Sequence, residues 1–193
     1  MSTVNGTIII AEDEPLKRSD LKEMLEQANY AVVGEAGDGF EAIALAKRHQ
    51  PDLIIMDIQM PLLDGLKAGH KIMTDKLAKA ILVLSADSDF KHRQQAIKFG
   101  AVGYLVKPLD EKSFIPMVET SIAMGQARAR LERKYQLALQ KLAERKLIEQ
   151  AKGMLMTKYN VSEEIAYQRI RKISMDQRSS MIEIAEIIVA ANS

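Results

Sequence analysis

The chain has 193 residues, of which 47% are apolar and 27% are charged, a composition typical of a folded globular protein. The absence of cysteine excludes disulfide bonds, thiolate zinc sites and cysteine nucleophiles. No apolar run approaches the ~18 residues that a membrane span needs, and no signal peptide is readable, so we expect a cytoplasmic protein with no membrane partner.

Charge is distributed unevenly along the chain. Residues 1–120 have a net charge of −4, and residues 121–193 have a net charge of +5. A basic segment can face a polyanion such as nucleic acid, whereas the simpler alternative is a helical segment with solvated lysines. The difference predicts two parts with different functions.

Strand-like and helix-like segments alternate over the first 120 residues. Short runs of consecutive apolar residues, which suit strands buried on both faces, occur at 7–11, 31–33, 53–56, 81–84 and 103–106. Helical spacing follows at 16–28, 39–49, 65–77 and 90–99, and again from Ser113 onward. Five such βα units predict an α/β fold with a five-stranded, doubly wound parallel sheet. The strand order 2-1-3-4-5 would place strands one and three side by side at the switch point.

The remainder of the chain has no strand signal and predicts an all-α part. A helical pattern runs from Glu111 to about residue 157, and a helix of that length usually packs against a partner helix. Leu131, Tyr135, Ala138 and Leu142 follow heptad spacing, which predicts a short coiled coil.

Two shorter helices are predicted after the long one. Ser162 precedes Glu163 and Glu164, which is typical of an N-cap followed by carboxylates at the positive end of the helix dipole. Ser180 and Glu183 have the spacing of a capping box. We therefore predict a long coiled-coil helix and a three-helix output domain.

The carboxyl ends of the predicted strands carry the clearest chemistry. Glu12 and Asp13 follow strand one, Asp57 follows strand three, and Ser85 and Lys107 follow strands four and five. Ligands of open α/β sheets bind beyond these ends, where the strand order switches. Clustered carboxylates repel each other unless a cation neutralises them, and oxygen ligands favour Mg²⁺. Polar residues also collect in wet loops, but chance rarely produces this combination.

These residues stand in longer motifs that resemble a known family. The motifs are Glu12-Asp13, DIQMPLLDG at 57–65, Ser85-Ala86 and YLVKP at 104–108. With them, residues 5–120 resemble the receiver domain of two-component response regulators, which has a flavodoxin-like fold. The resemblance implies that Asp57 is the phosphoacceptor, attacking the phosphorus of a phosphohistidine on a sensor histidine kinase.

The same resemblance implies a magnesium site next to Asp57. Asp13, Asp57 and the backbone carbonyl of Gln59 would hold Mg²⁺, with Glu12 acting through water. Glutamate at position 12 departs from the aspartate that is commoner in the family, which changes the reach of the side chain but not its charge.

Four further roles follow from the receiver resemblance. Lys107 would balance charge on the phosphoryl oxygens, and the Ser85 hydroxyl would hydrogen-bond one of them. Ser85 and Tyr104 are the expected switch pair, in which the ring moves into the space that the hydroxyl leaves. Pro108 would follow a cis peptide bond that directs Lys107 inward.

The glycine-rich residues 34–39 are not expected to bind phosphate. They lack the Gly-Lys-Ser/Thr ending of a phosphate-binding loop, and Glu35 and Asp38 would repel an anion. We interpret them as the turn between strand two and helix two.

The output part has few features of an enzyme or of a DNA reader. Residues 121–193 contain no histidine, and we expect no catalytic activity. The last helix, around 181–189, is almost wholly apolar with two acids, so the DNA major groove would repel it and no DNA partner is expected. A DNA-binding regulator and a helical tail that docks another protein remain the alternatives.

Residues 135–191 resemble the ANTAR domain, an RNA-binding output module of transcription antiterminators. The resemblance rests on IEQAKGMLM at 148–156, VSEEIAY at 161–167, IRK at 170–172 and MDQR at 175–178. It implies dimerisation on phosphorylation and binding to paired RNA stem-loops in nascent leader transcripts, which prevents terminator formation. The ethanolamine-utilisation antiterminators are the suggested type.

Five residues are candidate RNA contacts. Ala151 and Gly153 flank Lys152 with little side chain, leaving helix surface where a loop base or phosphate could approach, although packing against the next helix is the alternative. Arg171 and Arg178 would contact phosphates or stack on bases. The predicted organisation is a receiver at 1–120, a coiled-coil linker at 121–134 and an ANTAR domain at 135–193.

Overall fold

A computed structural model of the chain describes residues 4–86 and 89–191. The chain separates into two compact units, Met1–Leu131 and Glu132–Ser193, and one long helix contributes residues to both. The predicted linker at 121–134 is helical throughout. Its residue Ile122 belongs to the apolar core of the first unit.

Five parallel strands form the sheet of the first unit, in the order β2-β1-β3-β4-β5. They are β1 (Thr7–Ala11), β2 (Ala31–Ala36), β3 (Leu53–Asp57), β4 (Ile81–Ser85) and β5 (Gly103–Val106). β3 and β4 are buried at every position, because helices cover both faces of the sheet. The predicted α/β fold and strand order are confirmed, with β1 and β3 adjacent at the switch point.

The helices begin close to the predicted positions. They are α1 (Pro15–Gln27), α2 (Gly39–His49), α3 (Gly65–Thr74), α4 (Phe90–Phe99), α5 (Glu111–Tyr159), α6 (Glu163–Gln177) and α7 (Met181–Ala190). Asp38, Asp64 and Asp89 cap α2, α3 and α4, each accepting a hydrogen bond from a backbone N–H of the first turn. α3 ends three residues before the predicted limit.

The glycine-rich stretch at 34–39 is only partly a turn, which corrects our interpretation. Gly34 pairs with Ile9 and Ala36 pairs with Ala11, so the first half of the stretch continues β2 along β1. Asp38 then caps α2, and Gly39 begins it. Pairing with a buried neighbouring strand outweighs the low strand propensity of glycine here.

Two apolar clusters cover the two faces of the sheet. Successive strand residues point to opposite faces, so Ile9 and Ile54 pack with α2, α3 and α4, whereas Ile8 and Ile55 pack with α1 and the first part of α5. Each of these isoleucines has no accessible surface, and full burial of one such side chain stabilises the fold by about 2 kcal/mol. This packing holds the carboxyl ends of the strands at one common edge.

At the opposite edge of the sheet, Asp52 links the start of β1 to the segment before β4. One of its carboxylate oxygens accepts hydrogen bonds from the backbone N–H and the hydroxyl of Thr7, at 2.9 and 3.1 Å. The other oxygen lies 2.7 Å from the Lys79 ammonium. Burial favours the neutral acid, but the bonds from Lys79 and Thr7 outweigh it and hold the pKa of Asp52 below its ordinary value of 3.8.

Asp52→Asn is therefore expected to destabilise the first unit by about 1–2 kcal/mol near neutral pH. The folded state has the lower pKa, so the carboxylate stabilises it above pH 4 or so, and this contribution is lost as the pH falls through the folded value. Urea unfolding of both proteins across this pH range measures the effect, and the difference between them should shrink towards acid.

Asp75→Asn is the matched control for this measurement. Asp75 pairs with Lys71 one turn away on the surface of α3, where both side chains are solvated. An exposed pair of this kind contributes little, so the control should unfold like the wild type at every pH. A difference for Asp52→Asn that stays constant with pH would contradict the assigned role of the carboxylate.

The second unit is built from the end of α5 together with α6 and α7. Ala151 and Leu155 of α5, Ala166 and Ile170 of α6, and Ile184 of α7 are buried together. The hydroxyl of Ser162 accepts a hydrogen bond from a backbone N–H of α6, and Ser180 forms a complete capping box with Glu183. The predicted caps of both helices and the three-helix arrangement are confirmed.

The middle of α5 is a solvent-exposed helix. Every residue from 127 to 143 is exposed. Leu131, Tyr135 and Leu142 are 69%, 58% and 65% exposed, and together with Ala138 they form what we name the apolar stripe. The coiled coil predicted for these four residues remains a prediction. None of the helices in the described part of the chain could span a membrane.

Candidate functional site

Three carboxylates meet at the carboxyl edge of the sheet. Glu12 and Asp13 follow β1, and Asp57 ends β3. One oxygen from each lies within 4.8 Å of the other two. Glu12 and Asp57 are buried, whereas Asp13 is exposed. The strand order predicts this meeting, because it places the ends of β1 and β3 side by side.

Lys107 is the cation of this site. Its ammonium lies 2.7 Å from a Glu12 oxygen and 2.6 Å from a carboxylate oxygen of Asp57. The peptide bond between Lys107 and Pro108 is cis, as the family resemblance implied. The lysine thus links the end of β5 to the ends of β1 and β3.

Burial and hydrogen bonding shift the pKa values of Glu12 and Lys107. Burial raises the pKa of Glu12, although the hydrogen bond from Lys107 acts in the opposite direction. Burial alone would lower the pKa of Lys107, but its bonds to Asp57 and Glu12 outweigh burial and raise it. Lys107 is therefore a permanent positive charge beside Asp57 at neutral pH.

The loop after β3 shapes the surroundings of Asp57. The backbone N–H of Gln59 lies 3.4 Å from one Asp57 oxygen, and the N–H of Gly65 donates to the Ile58 carbonyl at 2.9 Å. A Cβ atom at position 65 would lie only 1.9 Å from the backbone carbonyl oxygen of Asp57. Only glycine allows α3 to begin so close to the end of β3.

The predicted switch pair lies on the neighbouring strands. Ser85 ends β4 and is 3% exposed, and Tyr104 in β5 packs on the cluster that contains Ile9 and Ile54. β3 lies between β1 and β4, so Asp57 has the carboxylates on one side and Ser85 on the other. Their roles as a switch remain predictions.

The donor set at this edge fits a divalent cation that prefers oxygen. The three carboxylates supply oxygen atoms that are close enough to share one ion, and the exposure of Asp13 leaves the cluster open to solvent. Neither cysteine nor histidine belongs to the cluster, which favours Mg²⁺ over a transition metal.

The second unit places the predicted RNA contacts in different environments. Ala151 has no accessible surface and packs in the core, which favours the packing alternative for that residue. Gly153 is exposed. Arg171 on α6 and Arg178, which ends α6 in a left-handed conformation, are also exposed and accessible to a polyanion. RNA contact by these residues remains a prediction.

Lys152 is buried and paired with acids. Its ammonium lies 2.8 Å from Glu149 on α5 and 2.6 Å from Glu163 at the start of α6. Hydrogen bonds to these two carboxylates raise the pKa of Lys152, and the bond from Lys152 lowers the pKa of Glu163. The lysine therefore joins two helices, and its charge is already neutralised within the chain.

Lys152→Ala is expected to lower the melting temperature of the second unit, because it leaves two carboxylates facing each other without their cation. Circular dichroism during heating measures this. Lys146→Ala removes an exposed lysine from the same helix and should leave the melting temperature unchanged. If Lys152→Ala weakens hairpin binding while its melting temperature stays that of the wild type, the lysine is a surface contact instead.

Two residues of the first unit are positioned by contacts that sequence reasoning did not identify. Gly65 appears in the receiver motif, but no local sequence pattern reveals that its backbone lies against the backbone of Asp57. The guanidinium of Arg18 on α1 donates to the backbone carbonyl of Glu12 and also pairs with Glu35 at 3.6 Å. Arg18 lies six residues from Glu12, with no spacing signal to connect them.

Comparisons with known proteins agree with the two units. The family model described as the response regulator receiver domain matches residues 8–119, and the model described as the ANTAR domain matches residues 136–189. The chain belongs to the response regulators that join a receiver domain to an ANTAR domain, a non-enzymatic family.

Individual relatives support the same assignment. The chain is 42% identical over 188 residues to the transcriptional regulatory protein PdtaR of Mycobacterium tuberculosis, covering 97% of this chain and 91% of that protein. The receiver domain of the response regulator NarL from the same species superimposes with a TM-score of 0.59 at 28% identity, covering 63% of this chain and 98% of the other.

A receiver domain with bound metal is also similar. The receiver domain of the sensor kinase PA1611 from Pseudomonas aeruginosa, which has a magnesium ion coordinated in its active-site cleft, gives a TM-score of 0.56 at 28% identity. The match covers 61% of this chain and 98% of that one. The suggested ethanolamine-utilisation type stays a prediction.

Proposed function

We propose that this response regulator is phosphorylated on Asp57 by a sensor histidine kinase, dimerises, and binds RNA hairpins in nascent leader transcripts to prevent termination. The observation that carries the first step is the convergence of three carboxylates and the partly buried Lys107 at the edge of the sheet. The ANTAR family match carries the last step. A cytoplasmic location accords with this family.

Phosphotransfer in this site consists of one displacement. An Asp57 oxygen attacks phosphorus in line, an O–P bond forms, and the N–P bond to the kinase histidine breaks with its electron pair left on nitrogen. Lys107 lies 2.6 Å from Asp57 and balances charge on the phosphoryl oxygens. The hydroxyl of Ser85, at the end of the neighbouring strand, donates a hydrogen bond to one of those oxygens.

Mg²⁺ fits the same site. Asp13, Asp57 and the carbonyl of Gln59 would hold it, with Glu12 contributing through water. The ion supplies neutralisation of the phosphoryl charge when it is bound. Lys107 would neutralise a further part of the negative charge that the three carboxylates and the phosphoryl group bring together.

Dimerisation uses the apolar stripe of α5. Leu131, Tyr135 and Leu142 are more than half exposed, and heptad spacing places them on one face of a continuous helix. A second copy of the same helix would bury this face. Two ANTAR domains held together in this way could bind two hairpins of one transcript.

The second unit does not resemble a DNA reader in its final helix. Ile184 and Ala185 of α7 are buried in the core, and the exposed side of this helix includes Glu186. A recognition helix needs exposed donors for base edges instead. RNA is therefore the favoured nucleic acid.

Binding experiments with the full-length protein test the proposal. The affinity for a tandem leader hairpin is compared with that for duplex DNA of the same sequence, with and without beryllofluoride and Mg²⁺. We expect a preference for the hairpin, strengthened by beryllofluoride together with a shift from monomer to dimer in analytical ultracentrifugation. Equal affinity for duplex DNA would contradict the RNA proposal.

A further inference from the structure

Gly153 occupies a position where the fold does not need glycine. It lies inside α5, and its φ is not in the left-handed region. Apart from its chain neighbours and the backbone of its own helix, no described heavy atom lies within 4 Å of the position that a Cβ would take. Glycine is a poor residue for a helix interior, so this position weakens the helix with no packing benefit from residues 4–86 and 89–191.

A shallow depression of about 470 Å³ lies at this glycine. Its lining residues, which we name the Gly153 face, are Gln150, Gly153, Met154, Thr157 and Lys158. They include an amide, a thioether, a hydroxyl and an ammonium, and no acid. The Thr157 hydroxyl donates to the Gly153 carbonyl at 3.0 Å, so its oxygen remains able to accept a hydrogen bond.

The nearest acid on the helix is already neutralised. Glu149 directs both carboxylate oxygens to Lys152, each at 2.8 Å. Lys152 in turn is held on Glu163 of α6. These contacts favour the packing alternative for Lys152, because its ammonium joins Glu149 of α5 to Glu163 of α6.

We propose that the Gly153 face receives an unpaired base of the hairpin loop, with the base against Gly153 and Met154 and the adjoining phosphate at Lys158. The inference rests on the proposed RNA-binding function and assigns its contact surface. Gln150 and Thr157 offer a donor and acceptors to the base edge. A bare helix backbone allows the flat ring an approach that any Cβ would block.

The chemistry of the face favours RNA over a second copy of this chain. The face combines a cation with hydrogen-bonding side chains and contains a single apolar side chain, Met154. A helix–helix interface would instead bury an apolar row such as the apolar stripe. The only charged residue that lines the face is a cation, Lys158, which complements a nucleic acid backbone.

Gly153→Ala and Gly153→Val in the full-length protein provide the test. Alanine should raise the melting temperature by about 2–4 °C because it is the better helix former. Both substitutions should weaken binding to a leader hairpin by at least about fivefold, because a stacked base is lost or displaced. A gain in stability combined with a loss of affinity is a result that a packing role cannot produce.

Ala143→Val is the matched control, since it adds the same kind of bulk to an exposed position of the same helix. It should leave hairpin affinity unchanged.

Unchanged affinity in both Gly153 variants, while the wild type binds the hairpin, would overturn the assigned face and leave the proposed function intact. Gly153 variants that dimerise more weakly, but whose dimers bind RNA like the wild type, would also overturn the assigned face. The face would then contact a second copy of the chain. No hairpin binding by the wild type would instead refute the function on which it rests.

Discussion

Asp57→Asn is expected to abolish phosphorylation and every response that depends on it. The amide has the shape of the carboxylate but is no nucleophile, and it also removes one of the charges that would hold Mg²⁺. Incubation with acetyl phosphate and Mg²⁺ should add one phosphoryl group to the wild type, seen by intact mass spectrometry, and none to the variant. Beryllofluoride should then fail to strengthen hairpin binding.

Asp38→Asn is the control for this result. Asp38 caps α2 through hydrogen bonds from two backbone N–H groups, and asparagine caps a helix as well as aspartate does. This variant should be phosphorylated at the wild-type rate. A wild type that stays unmodified, or a phosphoryl group that appears on another carboxylate in Asp57→Asn, would refute the assignment of the phosphoacceptor.

Gly65→Ala is expected to have the largest effect on stability. Its Cβ would be 1.9 Å from the Asp57 carbonyl oxygen and 2.9 Å from the Met56 side chain, so the end of β3 or the start of α3 must shift. We expect a loss of about 2–4 kcal/mol in the free energy of unfolding, measured in urea. The folded fraction should also be phosphorylated much more slowly, because a displaced carboxylate attacks poorly.

Gly37→Ala tests whether this effect is specific to the close approach. A Cβ at position 37 would meet only the tips of Arg18 and Glu41, at ordinary contact distances of 3.8 and 4.0 Å. This variant should fold and react like the wild type. Equal stability of Gly65→Ala and Gly37→Ala would show that the start of α3 can move freely.

Much of the first unit was predictable because its local signals agree with each other. The apolar runs of β3 and β4 are buried on both faces, as expected for strands of a sheet that helices cover on both sides. The rule for the carboxyl ends of parallel strands then brings Glu12, Asp13 and Asp57 together. Short strands with consistent signals leave little freedom for another topology.

The second unit was less predictable, and Lys152 shows why. A lysine between two small residues on a helix has the pattern of an exposed contact, yet Ala151 faces the core and Lys152 is held by Glu149 and Glu163. Glu163 lies on the next helix, so its contact depends on how α5 and α6 pack. Helical spacing identifies a face but not the element that covers it.

The amino-acid order by itself determined the five βα units, the caps of α6 and α7 and the identity of the residues at the strand ends, because each follows from short-range patterns. Only the tertiary structure shows at which of two positions, 65 or 153, the fold requires glycine. Gly65 lies against the backbone of Asp57, whereas Gly153 has open space above it. Close approach between segments depends on packing at the scale of single atoms, and no periodicity along the chain encodes it.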